Sequence, residues 1–339
     1  MLNRDVFAVD PATYRIANQG VAKITFPPSP ETMKTLRDEL RTFVCDGHYA
    51  EGMGRILEAF LRTAGRGAGP AVWISGFYGS GKSHLAAMLA ALWTDLEFPD
   101  GARAQGLVPH LPHDVTAALH KLRQAARRMG GTLAVGDTLG SGSQNPIEST
   151  LGIVLRAVGL PTDLRSALVA FWLADEGILD AVRAKLGANF DRHIRNFVLS
   201  SDFANAVLAA EPGLAADAVS LRALLKANFQ QPPEPTVELL TTLTRRALTL
   251  GRREIPLTLV VLDEVQQHLR QDPHLTLQVQ TIAERLSNEF DGRVLLVCTG
   301  QQALSDVPNL QKLLGRFPVQ VALGEADILA HESDAYVAV

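Results

Sequence analysis

The chain has 339 residues, of which 47% are hydrophobic and 20% charged, and its formal net charge is −4. This composition excludes global disorder, and the charge gives no overall attraction to nucleic acid or to an anionic membrane. The two cysteines, Cys45 and Cys298, have no metal-ligand spacing, so the sequence indicates neither a disulfide framework nor a zinc site. The first residues form no apolar signal region, and no apolar run approaches the ~20 residues that cross a bilayer. We therefore expect a cytoplasmic protein without a membrane partner.

Residues 1–65 predict an extended lead-in followed by two helices. Ser29 can cap the first helix, with Pro30 in its first turn, and apolar residues then recur at helical spacing. The second helix is expected over about 52–63, before a glycine-rich break. These two helices form a short N-terminal helical segment.

Residues 66–159 and 251–323 predict the two parts of one α/β core. In the first part, the strand 71–75 precedes a glycine loop, a helix over about 82–96, a helix near 114–129, the strand 132–135, a polar loop over 140–145 and a helix after Pro146. In the second part, strands at 257–262, 293–298 and 318–323 alternate with helices near 277–290 and 307–314. Such alternation predicts a parallel sheet flanked by helices. Residues 160–250 are almost wholly helical in pattern and are interpreted as an insertion, and 324–339 as a weakly structured tail.

The glycine loop carries a phosphate-binding pattern. Residues 76–83 match G-x-x-x-x-G-K-[ST] at every fixed position and lie between a buried-type strand and an amphipathic helix, which is the context this motif requires. The glycines let backbone N–H groups point at phosphate oxygens, Lys82 reaches the β and γ phosphates, and the Ser83 hydroxyl ligates Mg²⁺. The alternative is a glycine turn that binds no ligand. The expected nucleotide contacts are Gly76, Phe77, Tyr78, Gly79, Ser80, Gly81, Lys82, Ser83 and His84.

The strand 257–262 ends abruptly in two carboxylates, Asp263 and Glu264. Asp263 is the expected acid on the magnesium side, and Glu264 is the expected general base that polarises the attacking water. The alternative is that the two acids merely begin the next helix. Both acids together favour hydrolysis over a passive nucleotide switch.

Two further residues are weaker candidates for the catalytic set. Thr299 ends the strand 293–298 and is expected to lie between the two phosphate-binding strands and to hold the water; the alternative is a plain turn residue. Arg316 precedes the last strand and is a candidate arginine finger toward a neighbouring subunit, with an ordinary solvated arginine as the alternative.

The order of glycine loop, Asp-Glu strand, polar-tipped strand and arginine resembles the AAA+ and related additional-strand ATPases. Within that group the chain resembles the BrxC/PglY ATPases of bacterial BREX phage-defence systems. The residues that carry this resemblance are Leu40-Arg41-Thr42-Phe43-Val44, Gly47-His48-Tyr49, Gly52-Met53, Ile56-Leu57, Val72 through Leu85, Thr299 through Leu304, and the opening Asp5-Val6-Phe7 with Asp10-Pro11.

The resemblance implies ATP as nucleotide with Mg²⁺, a homo-oligomer, other defence-system proteins as partners, and turnover that supports an assembly acting on DNA, with any DNA contact indirect. Members of that family are much longer and carry a helical lid after the core, so a truncated or fragmentary chain is expected, whose own ATPase activity needs measurement. The sequence has no Asn-Lys-x-Asp motif for guanine, which favours ATP. Tyr14, His48 and Tyr49 are either adenine contacts or packing residues.

Two other functions stay open at this point. The first is a binding or scaffold module that uses nucleotide without turnover. The second is a DNA loader of the origin-recognition type, for which the sequence offers two basic clusters whose alternative is a solvated helix face. These clusters are Lys121, Arg123, Arg127 and Arg128, and Arg245, Arg246, Arg252 and Arg253.

Overall fold

The computed structural model describes residues 24–140, 145–270 and 272–324 of the chain. Several features named above lie outside the described residues: residues 1–23 of the lead-in with Asp5-Val6-Phe7, Asp10-Pro11 and Tyr14, most of the polar loop over 140–145, and all but the first residue of the tail.

The core of the protein is a five-stranded sheet. Its strands span Ala71–Ser75 (β1), Thr132–Thr138 (β2), Leu257–Asp263 (β3), Val294–Gly300 (β4) and Val319–Ala322 (β5). They are all parallel, in the order β2-β3-β4-β1-β5. Every residue of β1, β3 and β4 is buried, as is typical of central strands covered on both faces. The α/β class and the parallel sheet flanked by helices are therefore confirmed.

The strand order decides what lies near what at the carboxyl edge of the sheet. β4 pairs with β1 on one side and with β3 on the other, so β1 and β3 are two strand spacings apart, about 10 Å. The glycine loop after β1 and the acids at the end of β3 therefore face each other across the end of β4. Thr299 occupies that end, opposite Ile74 of β1.

The chain divides into two compact units, residues 1–149 with 248–339, and residues 150–247. The boundaries fall within the helices Pro146–Ala157 (α6) and Val237–Thr249 (α12). The remaining helices of the first unit are Pro30–Thr42 (α1), Gly47–Thr63 (α2), Lys82–Thr94 (α3), Ala104–Leu107 (α4), His113–Ala126 (α5), Val265–Leu269 (α13) and Pro273–Asn288 (α14).

Local sequence signals account for the start of α1 and correct that of α2. Ser29 caps α1, where its hydroxyl accepts from the Thr32 N–H. α2 begins at Gly47 rather than near 52, because the Asp46 carboxylate accepts the Gly47 N–H at 2.7 Å. Gly52 lies inside α2, where a Cβ atom would come within 2.6 Å of a Val321 methyl carbon. This glycine allows close packing of α2 on β5 and does not mark a helix end.

The helix expected over 307–314 is wrong. The structure has only a 3-10 turn there, Gln311–Leu313. Two polar side chains that follow Pro308 make hydrogen bonds away from this segment's own helical positions: the Asn309 amide donates to Thr276 Oγ1 of α14 at 2.8 Å, and the Gln311 amide donates to the Ser305 carbonyl at 2.9 Å. Such bonds compete with helix formation.

Residues 150–247, all of which the structure describes, form helices and turns but no strand. Complete helices span Leu164–Asp175 (α7), Leu179–Leu186 (α8), Phe190–Arg195 (α9), Ser201–Ala210 (α10) and Ala218–Phe229 (α11). Asp163, Ser200 and Asp217 cap α7, α10 and α11. The sequence predicts the insertion over 160–250, whereas the helical unit of the structure begins at Thr150 and ends at Ala247.

Within the described part of the chain, no helix combines the length and the apolar character that crossing a bilayer requires. Cys45 and Cys298 are both buried free thiols. Burial raises the pKa of Cys45 to about 12 and that of Cys298 well above its usual range.

Candidate functional site

A glycine loop joins β1 to α3 at the carboxyl edge of the sheet. It covers residues 76–81, and α3 begins at Lys82 with Gly81 as its N-cap. No side chain caps this described helix end, so its first backbone N–H groups are available to a ligand. Helix N-termini favour anions, because these N–H groups and the helix dipole carry partial positive charge.

Tyr49 supports the loop from beneath. Its buried hydroxyl donates to the Ser80 carbonyl at 3.0 Å, and it lies so close to Gly81 that a Cβ atom there would be 1.8 Å from the Tyr49 oxygen. At Gly79, by contrast, an added Cβ would have no atom within 4 Å. The glycine loop is therefore closely packed at Gly81 and open at Gly79. Of the two alternatives for Tyr49, adenine contact or packing, the observed contacts are those of a packing residue.

Gly81→Ala is expected to lower the free energy of unfolding by about 2–4 kcal/mol. Gly81 has φ +79°, which disfavours a side chain, and the new methyl group would collide with Tyr49. In a Tyr49→Phe background the same change should cost less, because the colliding oxygen is gone. Urea unfolding of the single and double variants measures both effects.

Gly106→Ala is the matched control, because a Cβ at Gly106 meets nothing within 4 Å and its φ is not positive. This change should be neutral or slightly stabilising. A Gly81→Ala variant as stable as Gly106→Ala would contradict the packing account of the loop.

Lys82 lies on the inner side of the glycine loop. Its Nζ donates to the Phe77 carbonyl at 2.7 Å and is 3.5 Å from Ser80 Oγ. Burial lowers the pKa of Lys82 from its ordinary value, while the charges of Asp263 and Glu264 act in the opposite direction. An ammonium held this way provides a point charge to an anion in the loop.

Ser83 connects the glycine loop to the acidic end of β3. Its hydroxyl lies 2.9 Å and 3.1 Å from the two carboxylate oxygens of Asp263, to which it donates. Asp263 is only 3% exposed. A hydroxyl oxygen beside a buried carboxylate is a set of hard oxygen ligands, which suits Mg²⁺.

Thr299 joins Asp263 and Glu264 at the end of β4. Its hydroxyl donates to Asp263 Oδ1 and accepts the Glu264 backbone N–H at 2.9 Å. At 1% exposure the Thr299 side chain is committed to these two bonds. The contacts observed are those of a positioning residue, whereas contact with a water stays a prediction.

Glu264 has an unusual backbone conformation. It is the N-cap of α13 with φ 56° and ψ 31°, in the left-handed region that non-glycine residues rarely adopt. Its side chain is half-buried and lines the same cavity as Lys82. Such outliers persist where surrounding contacts enforce them, and they cluster at functional sites. Glu264 does precede a helix, as in the alternative that the two acids merely begin the next helix, but its side chain also lines the cavity.

One cavity of about 210 Å³ brings most of the expected residues together. Those that line it are Tyr78, Gly79, Gly81, Lys82, Ser83, His84, Asp263, Glu264 and Thr299, joined by Gln266, Gln267, Gly300 and Gln301. Gly76, Phe77, Ser80 and Arg316 are not among its lining residues.

The remaining expected residues have other contacts. His84 packs edge-on against Phe43, with ring centroids 5.5 Å apart. A Cβ at Gly76 would meet the Leu323 carbonyl at 2.8 Å, so this glycine is needed for close backbone packing. Arg316 makes an ion pair with Glu284 of α14 at 3.0 Å. Its predicted action on a neighbouring subunit would require that ion pair to open.

One arginine of each basic cluster is neutralised by an ion pair. Arg123 pairs with Asp95 at 3.1 Å, and Arg246 pairs with Asp175 at 2.7 Å while stacking over Phe171. Arginines engaged in this way offer less charge to a nucleic acid backbone, which favours the solvated-face interpretation of these residues.

Sequence reasoning missed an amide pair, Gln266 and Gln302, which links α13, the helix after β3, to the loop after β4. Gln302 belongs to the segment Thr299 through Leu304 that carries the resemblance, but nothing in the sequence marks Gln266 as its partner. Trp73 belongs to another such segment, Val72 through Leu85, and its indole N–H donates to the Gln302 carbonyl at 3.1 Å.

In comparisons with known proteins, no family model, no curated protein and no solved structure matches this chain.

Proposed function

We propose that the chain is a P-loop nucleoside triphosphatase of the AAA+ or additional-strand type, which binds ATP with Mg²⁺ and hydrolyses it. The observation that carries this proposal is the 2.9 Å hydrogen bond from Ser83 to Asp263, because it joins the glycine loop to the acidic strand end over one cavity. The strand order supports it, since β4 lies between the loop-bearing and acid-bearing strands.

The residues present fit a magnesium triphosphate. The open concavity above Gly79, the uncapped N–H groups of α3 and the Lys82 ammonium suit the phosphates. The Ser83 hydroxyl and the Asp263 carboxylate supply oxygen ligands, directly or through water, and Mg²⁺ is held in proteins by few such ligands together with substrate phosphates. When bound, Mg²⁺ neutralises charge that develops on the β and γ phosphates.

Each residue then has a distinct part in hydrolysis. Lys82 and the loop N–H groups hold the triphosphate and stabilise negative charge in the transition state. The Glu264 carboxylate orients the attacking water and accepts its proton as the bond from the γ-phosphorus to the bridging oxygen breaks. Thr299 fixes the Asp263–Glu264 corner through its two hydrogen bonds.

The biological role is a second level of the proposal and rests on the resemblance to BrxC/PglY. On that basis the protein acts in the cytoplasm within a bacterial phage-defence complex, as a homo-oligomer with other defence proteins. ATP turnover supports assembly or remodelling on DNA, with DNA contact mainly through partners. Arg316 is the residue proposed to reach a neighbouring γ-phosphate after leaving Glu284.

Steady-state phosphate release from ATP, with and without Mg²⁺, tests the proposal. We expect release that stops when EDTA removes the metal, because Lys82 is the only lysine or arginine among the described residues that line the cavity, whereas Asp263 and Glu264 add negative charge beside the triphosphate. Tight ATP binding without release would instead identify a nucleotide-dependent scaffold module. Neither binding nor release would contradict the proposal altogether.

A further inference from the structure

The helix α13, which follows β3, and the loop after β4 are joined by two hydrogen bonds between Gln266 and Gln302. Gln266 Oε1 accepts the backbone N–H of Gln302 at 2.9 Å, and Gln266 Nε2 donates to Gln302 Oε1 at 2.8 Å. A backbone N–H can only donate, so the oxygen of Gln266 must face it. The orientation of the Gln266 amide is therefore fixed by its partner.

Gln302 is in turn fixed to the centre of the sheet. The fully buried Trp73 of β1 donates its indole N–H to the Gln302 carbonyl at 3.1 Å. Gly300 makes room for this indole, since a Cβ there would lie 2.2 Å from a Trp73 ring carbon. Through this bond, Gln302 is attached to β1, the strand that the glycine loop follows.

Glu264 lies between two links that join the β3–α13 segment to the carboxyl end of β4 and the loop after it. On one side the Thr299 hydroxyl accepts its backbone N–H at 2.9 Å, and on the other Gln266 begins the amide pair two residues later. Between them Glu264 holds φ 56°, a conformation that costs free energy in a residue with a side chain. The surrounding bonds must outweigh that cost for the conformation to persist.

We propose that the Gln266–Gln302 pair is a positioning device, which keeps the Glu264 carboxylate aimed into the cavity and attaches it to β1 through Trp73. The inference rests on the proposed ATP hydrolysis, with Glu264 as general base. The phosphate-holding groups belong to the glycine loop and α3, which the pair does not bond. Its loss should therefore reduce kcat and leave ATP affinity nearly unchanged.

The test compares kcat, KM and the affinity for a non-hydrolysable ATP analogue in the full chain. Gln302→Ala removes one of the two bonds and should lower kcat ~3- to 10-fold. Gln266→Ala removes both and should lower it ~10- to 100-fold. The double variant should match Gln266→Ala, because the partner of Gln302 is already gone.

Gln302→Glu is the conservative variant, since its carboxylate still accepts from Gln266 Nε2. It should keep kcat within about twofold of the parent, a rescue that a merely structural role of residue 302 would not give. Gln124→Ala, on an exposed position of α5, is the control for a glutamine truncation. Circular dichroism and urea midpoints verify that all variants fold.

The following outcomes separate a failure of the positioning role from a failure of the proposed ATP hydrolysis. An unchanged kcat in Gln266→Ala, or a loss confined to ATP affinity, overturns the positioning role while the parent still hydrolyses ATP. A Gln302→Glu variant as slow as Gln302→Ala also overturns it. A folded parent that releases no phosphate contradicts the proposed function itself, and the positioning role with it.

Discussion

Lys82→Ala is expected to weaken ATP binding by ~30-fold or more, because removing one member of the charge pair that Lys82 forms with the bound phosphates costs about 2–5 kcal/mol. The Lys82 ammonium lies inside the glycine loop, 2.7 Å from the Phe77 carbonyl, and Lys82 is the only lysine or arginine among the described residues that line the cavity. Without it the triphosphate would face Asp263 and Glu264 with no opposing side-chain charge. Titration calorimetry with a non-hydrolysable analogue measures this loss.

The matched control for this variant is Lys34→Ala. Lys34 is an exposed residue of α1 and does not line the cavity. Its removal changes the net charge by the same amount, so a general electrostatic effect would appear in both variants. Equal affinities of Lys82→Ala and the parent would contradict the assignment of the loop to phosphate binding.

Glu264→Gln is expected to reduce kcat by ~10²- to 10⁴-fold and to change ATP affinity by less than about threefold. The amide keeps the shape of the carboxylate but cannot accept the proton of the attacking water. The glycine loop is untouched, so the nucleotide should still bind. Single-turnover phosphate release, with binding measured in parallel, separates the two effects.

Glu58→Gln on an exposed position of α2 provides the same chemical change away from the cavity. It should leave both constants as they are in the parent. Hydrolysis that survives in Glu264→Gln at more than a tenth of the parental rate would show that another group accepts the proton.

Much of the fold can be predicted from the sequence because its central strands are continuous apolar runs. β1 is fully buried and ends where the glycine pattern begins, and β3 is fully buried and ends in Asp263. Their short length and the turn residues that follow them distinguish such runs from buried helices. The five residues of α13 are too few to show helical periodicity, so α13 was missed.

The contacts that organise the site could be predicted less well. The pairing of Ser83 with Asp263 follows from the motif, since both residues belong to patterns with fixed spacing. The support of the loop by Tyr49 and the Gln266–Gln302 pair depend on residues that meet only after folding. Single glutamines and tyrosines carry no spacing signal, and their contacts span loops that the sequence does not constrain.

For Arg316, too, the contact in the structure differs from the role that its sequence position predicts. Its position before β5 suggested action in trans, but in the single chain it pairs with Glu284 at 3.0 Å. An arginine of this kind has no sequence signal that distinguishes a surface ion pair from a finger. Only an assembled oligomer would decide between them.

The central claim is that the glycine loop and the end of β3 meet over one metal-bound triphosphate. A crystal structure with Mg²⁺ and a non-hydrolysable ATP analogue tests it most directly. We predict the metal about 2.0–2.1 Å from the Ser83 hydroxyl and within one water of Asp263, with Lys82 on the β and γ phosphates. A nucleotide bound elsewhere, or a metal that contacts neither Ser83 nor Asp263, would contradict the account.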